Sequence, residues 1–419
     1  MPAFSTHADL AGGLIFDWNE AGRHDRPRPV GFSLVDETLR DGLQNPSVSD
    51  PTIEDKLRIL HLIDDLGIEH ANLGLPGSGR RAFEDVLRLC QEVADCRMRL
   101  QISAAGRTDP TDIVPIVEIA QRTGIRLEVC AFIGSSPIRQ YVEGWDTTLI
   151  AGRSAEAIDI AVRAGLPVSY VTEDTTRSRP DVLSALFRMA IDHGASRLVL
   201  SDTVGHATAD GVRNLIDFTK AEIASTGATV GIDWHGHNDR GLALENALSA
   251  LNAGADRVHG TALGIGERVG NTPIELMLLN LRLLGQLAPE RDLTRLIEYC
   301  ETVAKAFGWE IAPNDPLVGR DAFRTGTGVH AAAIIKALDK GDAWLADRVY
   351  SAVPAGIFGR RQEISIGFMS GTSNVVHWLR QRDLDPTAER VAAILRAAKG
   401  TRRIMSDDDV MAIALRVEG

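Results

Sequence analysis

The chain has 419 residues, a formal net charge of −12, 44% hydrophobic and 24% charged residues, a globular make-up longer than one mean domain and too short for more than about three. The acidic balance speaks against a nucleic-acid partner. No run of about 18 uncharged apolar residues stands ready to cross a membrane, and the first residues lack the basic-then-apolar pattern of a signal peptide.

Residues 1–29 mix charges with several Gly and Pro residues and read as an irregular arm. From residue 31 a rhythm sets in, β-rich runs alternating with amphipathic stretches. Strand runs are expected at Gly31–Val35, His70–Leu75, Arg99–Ser103, Arg126–Ile133, Val168–Val171, Arg197–Ser201, Thr229–Trp234 and Arg257–Gly260. Each is followed by a helical pattern: Ile53–Leu66, Arg81–Val93, Asp112–Arg122, Ala155–Ala164, Asp181–His193, Asp210–Ala224, Leu242–Ala253 and Pro273–Leu284. Strands alternating with helices imply right-handed βαβ units and a parallel sheet. Eight units between residues 30 and 290 fit a closed (β/α)8 barrel of the TIM type. The alternative, an open doubly wound sheet, wants a glycine fingerprint after the first strand. The stretch Asp36-Glu37-Thr38-Leu39-Arg40 does not supply one.

After residue 290 the rhythm stops. Helices are expected at Thr294–Phe307 and Val329–Leu338 and as a short pair within 383–418, so residues 291–419 form a mainly helical C-terminal region. Aromatic residues make up only 5% of the chain, which leaves the core aliphatic. The four cysteines, Cys90, Cys96, Cys130 and Cys300, form no CxxC and are expected to be reduced thiols of a cytoplasmic protein.

In a parallel barrel, chemistry sits where strands end and βα loops begin. His235 and His237 end the seventh strand, and a spacing of two puts both imidazoles on one face. Two histidines with a carboxylate make a facial set for a divalent cation with open positions. The alternative is a pair of core-lining or surface histidines. Asp41, at the mouth of the first strand, is the carboxylate candidate because strands 1, 7 and 8 adjoin on closure. Asn271 adds a neutral oxygen. This N/O set leaves Zn, Mn, Mg and Co open. Arg40 beside the cation could stabilise a developing oxyanion, or could simply pair with Glu37 or Glu173. Glu173 ends strand 5, and Thr203 follows strand 6, where its hydroxyl could hold a substrate carboxylate or cap the next helix. Gly264-x-Gly266 with Gly270 misses the GxGxxG spacing and follows the last strand, so it reads as a tight loop carrying Asn271.

Three segments together resemble the DRE-TIM metallolyase family. They are Asp36-x-Thr38-Leu39-Arg40-Asp41-Gly42-x-Gln44, His235-x-His237-Asn238-Asp239 and Gly264-Ile265-Gly266-Glu267-Arg268-x-Gly270-Asn271. The resemblance spans roughly residues 31–380 and points to the Claisen-condensing branch, the 2-isopropylmalate, homocitrate, citramalate and methylthioalkylmalate synthases. It implies a divalent metal on Asp41, His235 and His237, with Asn271 as a further ligand. Arg40 would polarise the ketone of a 2-oxo acid, Gln44 and Thr203 would bind substrate, and Glu173 would contact the substrate region. Thr327-Gly328-Val329-His330 is similar to a family segment that reaches the partner barrel in a homodimer. The resemblance makes His330 and Tyr350 acid–base candidates and implies acyl-CoA, most simply acetyl-CoA, as co-substrate.

Two positions depart from the family pattern. Asn72 stands where a glutamate is usual before Gly-x-Pro. Ser169 stands where homocitrate synthases place an arginine for a distal carboxylate. The second weakens a homocitrate-type substrate and favours a 2-oxo acid with a smaller or apolar tail, to be read around Asn72, Ser103, Phe132 and Ser169. The nearest rival is a 3-hydroxy-3-methylglutaryl-CoA lyase-like cleavage, suggested by Gly42-Leu43-Gln44-Asn45. Such lyases carry a catalytic cysteine in the loop that here runs Gly264 to Gly270 without one. A non-catalytic 2-oxo acid-binding paralogue is the third reading.

Overall fold

The computed structural model describes residues 13–19 and 31–417. Most of the arm expected at 1–29 lies outside them. Eight parallel strands close into a barrel in sequence order. They are β1 (Ser33–Asp36), β2 (His70–Asn72), β3 (Gln101–Arg107), β4 (Glu128–Gly134), β5 (Val168–Glu173), β6 (Arg197–Asp202), β7 (Gly231–Gly236) and β8 (Arg257–Gly260). Closure is made by β1 on β8, with Val35 opposite His259 and Asp36 opposite Gly260. The expected (β/α)8 architecture is therefore correct, and each expected strand overlaps an observed one.

Local chemistry starts the helices where the loops deliver them. Thr52, Asp109, Asp146 and Thr208 accept hydrogen bonds from first-turn N–H groups, and Pro110 and Pro180 occupy first-turn positions whose N–H would have no partner. Between β4 and the helix Thr147–Arg163 lies an extra helix, Pro137–Glu143, none of whose residues is buried. It packs no apolar stripe against the barrel, so its sequence carries no helical period to detect.

The barrel unit extends to Glu310, beyond the boundary expected at 290. The helix Leu296–Phe307 explains this. Tyr299 on it is fully buried and hydrogen-bonds both Thr38 Oγ1, at 3.0 Å, and Asp36.

The second unit, from Ile311 on, is mainly helical. Its core gathers Ile366, Val375, Trp378, Leu379, Ile394 and Val410. In the helix Ala388–Gly400 the buried residues are Val391, Ile394 and Ala398, the spacing of one helical face. The helix Thr372–Arg380, which supplies Val375, Trp378 and Leu379, escaped the sequence reading. No helix of the described residues is long and apolar enough to cross a membrane.

Candidate metal centre and active site

Period-two alternation decides which strand residues face the barrel interior. On β7, Ile232 and Trp234 are buried on the helix side, while Asp233 and His235 point inward. Beyond the strand, His237 forms an isolated antiparallel bridge with Asn271, which fastens the loop after β8 to the end of β7. That loop is tight. Gly270 has φ +93°, and a Cβ there would fall 1.9 Å from the Gly264 carbonyl oxygen. Arg268 ties the same loop to its neighbours by an ion pair with Asp239 at 2.9 Å and a hydrogen bond to the Thr203 carbonyl at 2.6 Å.

Asp41, His235 and His237 converge, all buried. The two Nε2 atoms are 3.2 Å apart, and Asp41 Oδ2 lies 3.6 Å from His235 Nε2 and 3.8 Å from His237 Nε2. Donors about 2.1 Å from one cation are about 3.0 Å apart at neighbouring octahedral positions and about 3.4 Å apart in a tetrahedron. The two imidazoles have that spacing at 3.2 Å, and the Asp41 oxygen stands a few tenths of an ångström outside it, at 3.6 and 3.8 Å. Asn271 Oδ1 is buried without a hydrogen-bond partner. It sits with Asp41 Oδ1 over Gly266, where a Cβ would come within 1.7 and 3.1 Å of the two oxygens. An orphaned buried oxygen beside two imidazoles and a carboxylate is what a hard or borderline divalent cation would satisfy. The donor set fits a metal.

Electrostatics hold the donors in ligating form. Burial, with His235 alongside, pushes His237 down to about 4, so its imidazole is neutral at pH 7. Burial works to raise the Asp41 carboxyl, but Arg40 and the two histidines bring it below the ordinary carboxylate value. His235 Nδ1 lies 2.6 Å from Glu37 Oε2, a contact that assigns the proton to Nδ1 and leaves Nε2 as the lone-pair donor.

Arg40 pairs with both Glu37, at 2.5 Å, and Asp41, at 2.8 Å. The structural pairing and the oxyanion role are thus not exclusive. Gln44 Oε1 accepts from Arg40 Nη1 at 3.3 Å. Together with Asn72, Leu75, Ala105, Cys130, Phe132, Val171, Glu173 and Thr203, these groups line a cavity of about 110 Å³ at the C-terminal mouth of the barrel. Thr203 Oγ1 accepts the Asp174 N–H at 2.8 Å, which leaves its own proton for another acceptor. Burial raises the Glu173 carboxyl against the pull of Arg139 and Arg40. Burial also pushes the Cys130 thiol up, so it is protonated at neutral pH.

Of the residues singled out from sequence, Asp41, His235, His237 and Asn271 meet, and Arg40, Gln44, Glu173 and Thr203 line the same cavity. His330 and Tyr350 belong to the second unit, where their rings stack at 4.2 Å. Two residues expected around the substrate tail lie elsewhere. Ser169 donates to Glu128, and Ser103 lines a small adjoining cavity with His70 and Arg257, on the far side of Cys130 and His259, which line both. The reason is register. Ser169, Val171 and Glu173 share one face of β5, so Val171 and Glu173 reach the mouth while Ser169 remains a layer deeper. Sequence reasoning gave Glu37 no role beyond pairing and overlooked His259. The inward alternation Arg257, His259 on β8 and Asp233, His235 on β7 carried that signal.

Residues 31–303 match the family model described as HMGL-like. The chain is 30% identical over 372 residues to a probable 2-isopropylmalate synthase of Methanopyrus kandleri, covering 88% of this chain and 70% of that protein. It is also 30% identical over 383 residues to a homocitrate synthase of the same organism, covering 91% of this chain and 90% of that one. Among solved structures, a Bacillus subtilis HMG-CoA lyase superposes with a TM-score of 0.57 at 20% identity, over 68% of this chain and 96% of that one. This last likeness concerns the fold alone. The chain belongs to the HMGL-like, or DRE-TIM, family. It is an enzyme of the acyl-transferring kind that its synthase relatives represent.

Proposed function

We propose that the protein condenses acetyl-CoA with a short-tailed, apolar 2-oxo acid and hydrolyses the thioester, giving a 2-alkylmalate as a 2-isopropylmalate synthase does. The observation that carries this reading is the convergence of Asp41, His235 and His237 to 3.2–3.8 Å at a cavity that also presents Arg40 and Thr203. A divalent metal held there, of the Zn, Mn, Mg or Co class, supplies Lewis acidity to a ketone oxygen. The chain's own groups do the rest. Thr203 Oγ donates to the carboxylate of the 2-oxo acid. The Arg40 guanidinium faces the oxygen that becomes an alkoxide and stabilises its charge. Glu173, with its carboxyl raised, orients substrate and exchanges a proton at the cavity rim.

The tail pocket supports the choice of acid. The apolar residues lining the cavity are Leu75, Ala105, Phe132, Val171 and Val199, with Cys130 beside them, and these are the walls assigned to the tail. Among the described residues, the one guanidinium lining the cavity is that of Arg40, already paired with Glu37 and Asp41. A distal carboxylate would be desolvated there without a partner, which is costly. Homocitrate-type substrates are therefore disfavoured, and a citramalate-type acid is the smaller alternative. Against carbon–carbon cleavage stands the loop Gly264 to Gly270, which holds no cysteine.

His330 and Tyr350 are the acid–base pair in this reading, working in a homodimer. Mixing His235→Ala with His330→Ala protein would then restore part of the activity through hybrid dimers. Thiol release from acetyl-CoA with a panel of 2-oxo acids tests the reaction itself. Release is expected with a branched or short aliphatic acid, stopped by a chelator and by His235→Ala. Cleavage of a hydroxyacyl-CoA with no release on any acid would overturn it.

A further inference from the structure

Glu37 is buried at the end of β1, 2% exposed, and meets three cationic or proton-bearing groups. Oε2 accepts from His235 Nδ1 at 2.6 Å, and Oε1 accepts from Arg40 Nη2 at 2.5 Å and faces His259 Nδ1 at 3.2 Å. His259, 6% exposed, lies opposite Val35 in the β1–β8 ladder and puts its other nitrogen 3.2 Å from Asp233 Oδ2. Asp233 in turn pairs with Arg197 at 2.5 Å. Buried charges therefore alternate in sign up the inside of the barrel: Arg197, Asp233, His259, Glu37, then Arg40. A buried carboxylate is costly unless paired. Here three partners share one carboxylate, and two of them are groups that the proposed reaction uses.

We infer that Glu37 is a positioning residue that sets two parts of the active site at once, the metal-facing nitrogen of His235 and the aim of the Arg40 guanidinium, and that His259 holds Glu37 in place for this. The two oxygens divide the work. One fixes the Nδ1–H tautomer of His235, which leaves Nε2 toward Asp41 and His237. The other takes one Arg40 nitrogen, Nη2, while Nη1 reaches Asp41 Oδ2 at 2.8 Å, so that the fork is held between the two carboxylates. The carboxylate cannot turn away, because its Oε1 side is flanked by the His259 ring, itself fixed from below by Asp233. Burial works to lower the His259 ring, yet Glu37 and Asp233, each 3.2 Å from one of its nitrogens, carry it up to about 9.

This inference rests on the metal reading given above, and the test separates the two. Mn2+ is titrated into metal-stripped, full-length protein, wild type and the variants Glu37→Gln and His259→Gln, with the thermal midpoint of each metal-free protein recorded alongside. Disturbed partners of a metal-ligating histidine weaken affinity by about 10- to 100-fold. Glu37→Gln is expected to show a loss of that size at a folded midpoint, together with a fall in kcat. His259→Gln is expected to show a smaller loss in the same direction. A role confined to stability would lower the midpoint and leave the Mn2+ affinity unchanged. If Glu37→Gln does not fold, His259→Gln decides. Wild-type affinity in the folded variants overturns the inference. Failure of the wild type itself to bind Mn2+ overturns the metal reading and this inference with it.

Discussion

Gly266 leaves open the space that Asn271 uses: a Cβ on Gly266 would come within 1.7 Å of Asn271 Oδ1. The φ of Gly266 is outside the left-handed region, so an alanine there meets a steric obstacle and no backbone strain. Gly266→Ala is expected to push Asn271 off the donor set. The measurable result is a drop in metal affinity of about 10- to 100-fold, with near-normal circular dichroism. Unchanged affinity would mean that Asn271 takes no part.

Arg40 forks onto two carboxylates, and lysine, a single point charge, cannot reproduce that geometry. Arg40→Lys is expected to lower kcat by about 10²- to 10³-fold, the usual cost of removing an oxyanion-stabilising donor, with a much smaller change in KM. A variant that raised KM alone would assign Arg40 to substrate binding only.

The imidazole of His259 titrates at about 9 in the fold, against 6.5 for an ordinary solvated histidine. A folded value above the unfolded one means stability that is fully present below pH 6.5 and is lost as pH rises through 9. His70 behaves in the opposite sense. Burial, with Arg257 nearby, lowers it from 6.5 to about 3, so its contribution is lost as pH falls from 6.5 toward 3. Thermal midpoints of the metal-free protein should therefore decline on both sides of neutrality. His259→Gln should flatten the alkaline limb and His70→Gln the acidic one. Limbs unaltered by these substitutions would assign the pH dependence to other groups.

Phe132 lines the cavity, and in the proposed reading its ring bounds the substrate tail. Phe132→Ala should enlarge that space and move the ratio of kcat/KM toward longer-tailed 2-oxo acids, by about tenfold or more, since each methylene in an apolar pocket is worth about 1–3 kcal/mol. An unchanged preference across a panel of acids would place the tail elsewhere.

Barrel and metal set were legible in the sequence for a local reason. A strand alternates with period two and a helix with period near 3.6 whatever the chain does elsewhere. His235 and His237, two apart at a strand end, therefore declare a shared face, and eight such strand–helix pairs imply closure. Elements without that signal were missed. The helix Pro137–Glu143 buries nothing and has no period to read. The helix Leu296–Phe307 does show a period, yet its membership of the barrel unit depends on Tyr299 meeting Asp36 and Thr38, more than 250 residues away in sequence.

The sequence alone determined which residue types stand at the strand ends, and hence the kind of chemistry available. Depth and pairing arise from the folded barrel. It put Ser169 a layer below the mouth and Val171 at it, brought the lone oxygen of Asn271 to Asp41 over Gly266, and stacked His259 beneath Glu37. Depth follows from barrel stagger and closure, which join β1 to β8 across the whole length of the barrel sequence. No local pattern encodes such a contact, because the two partners become neighbours only when the barrel shuts.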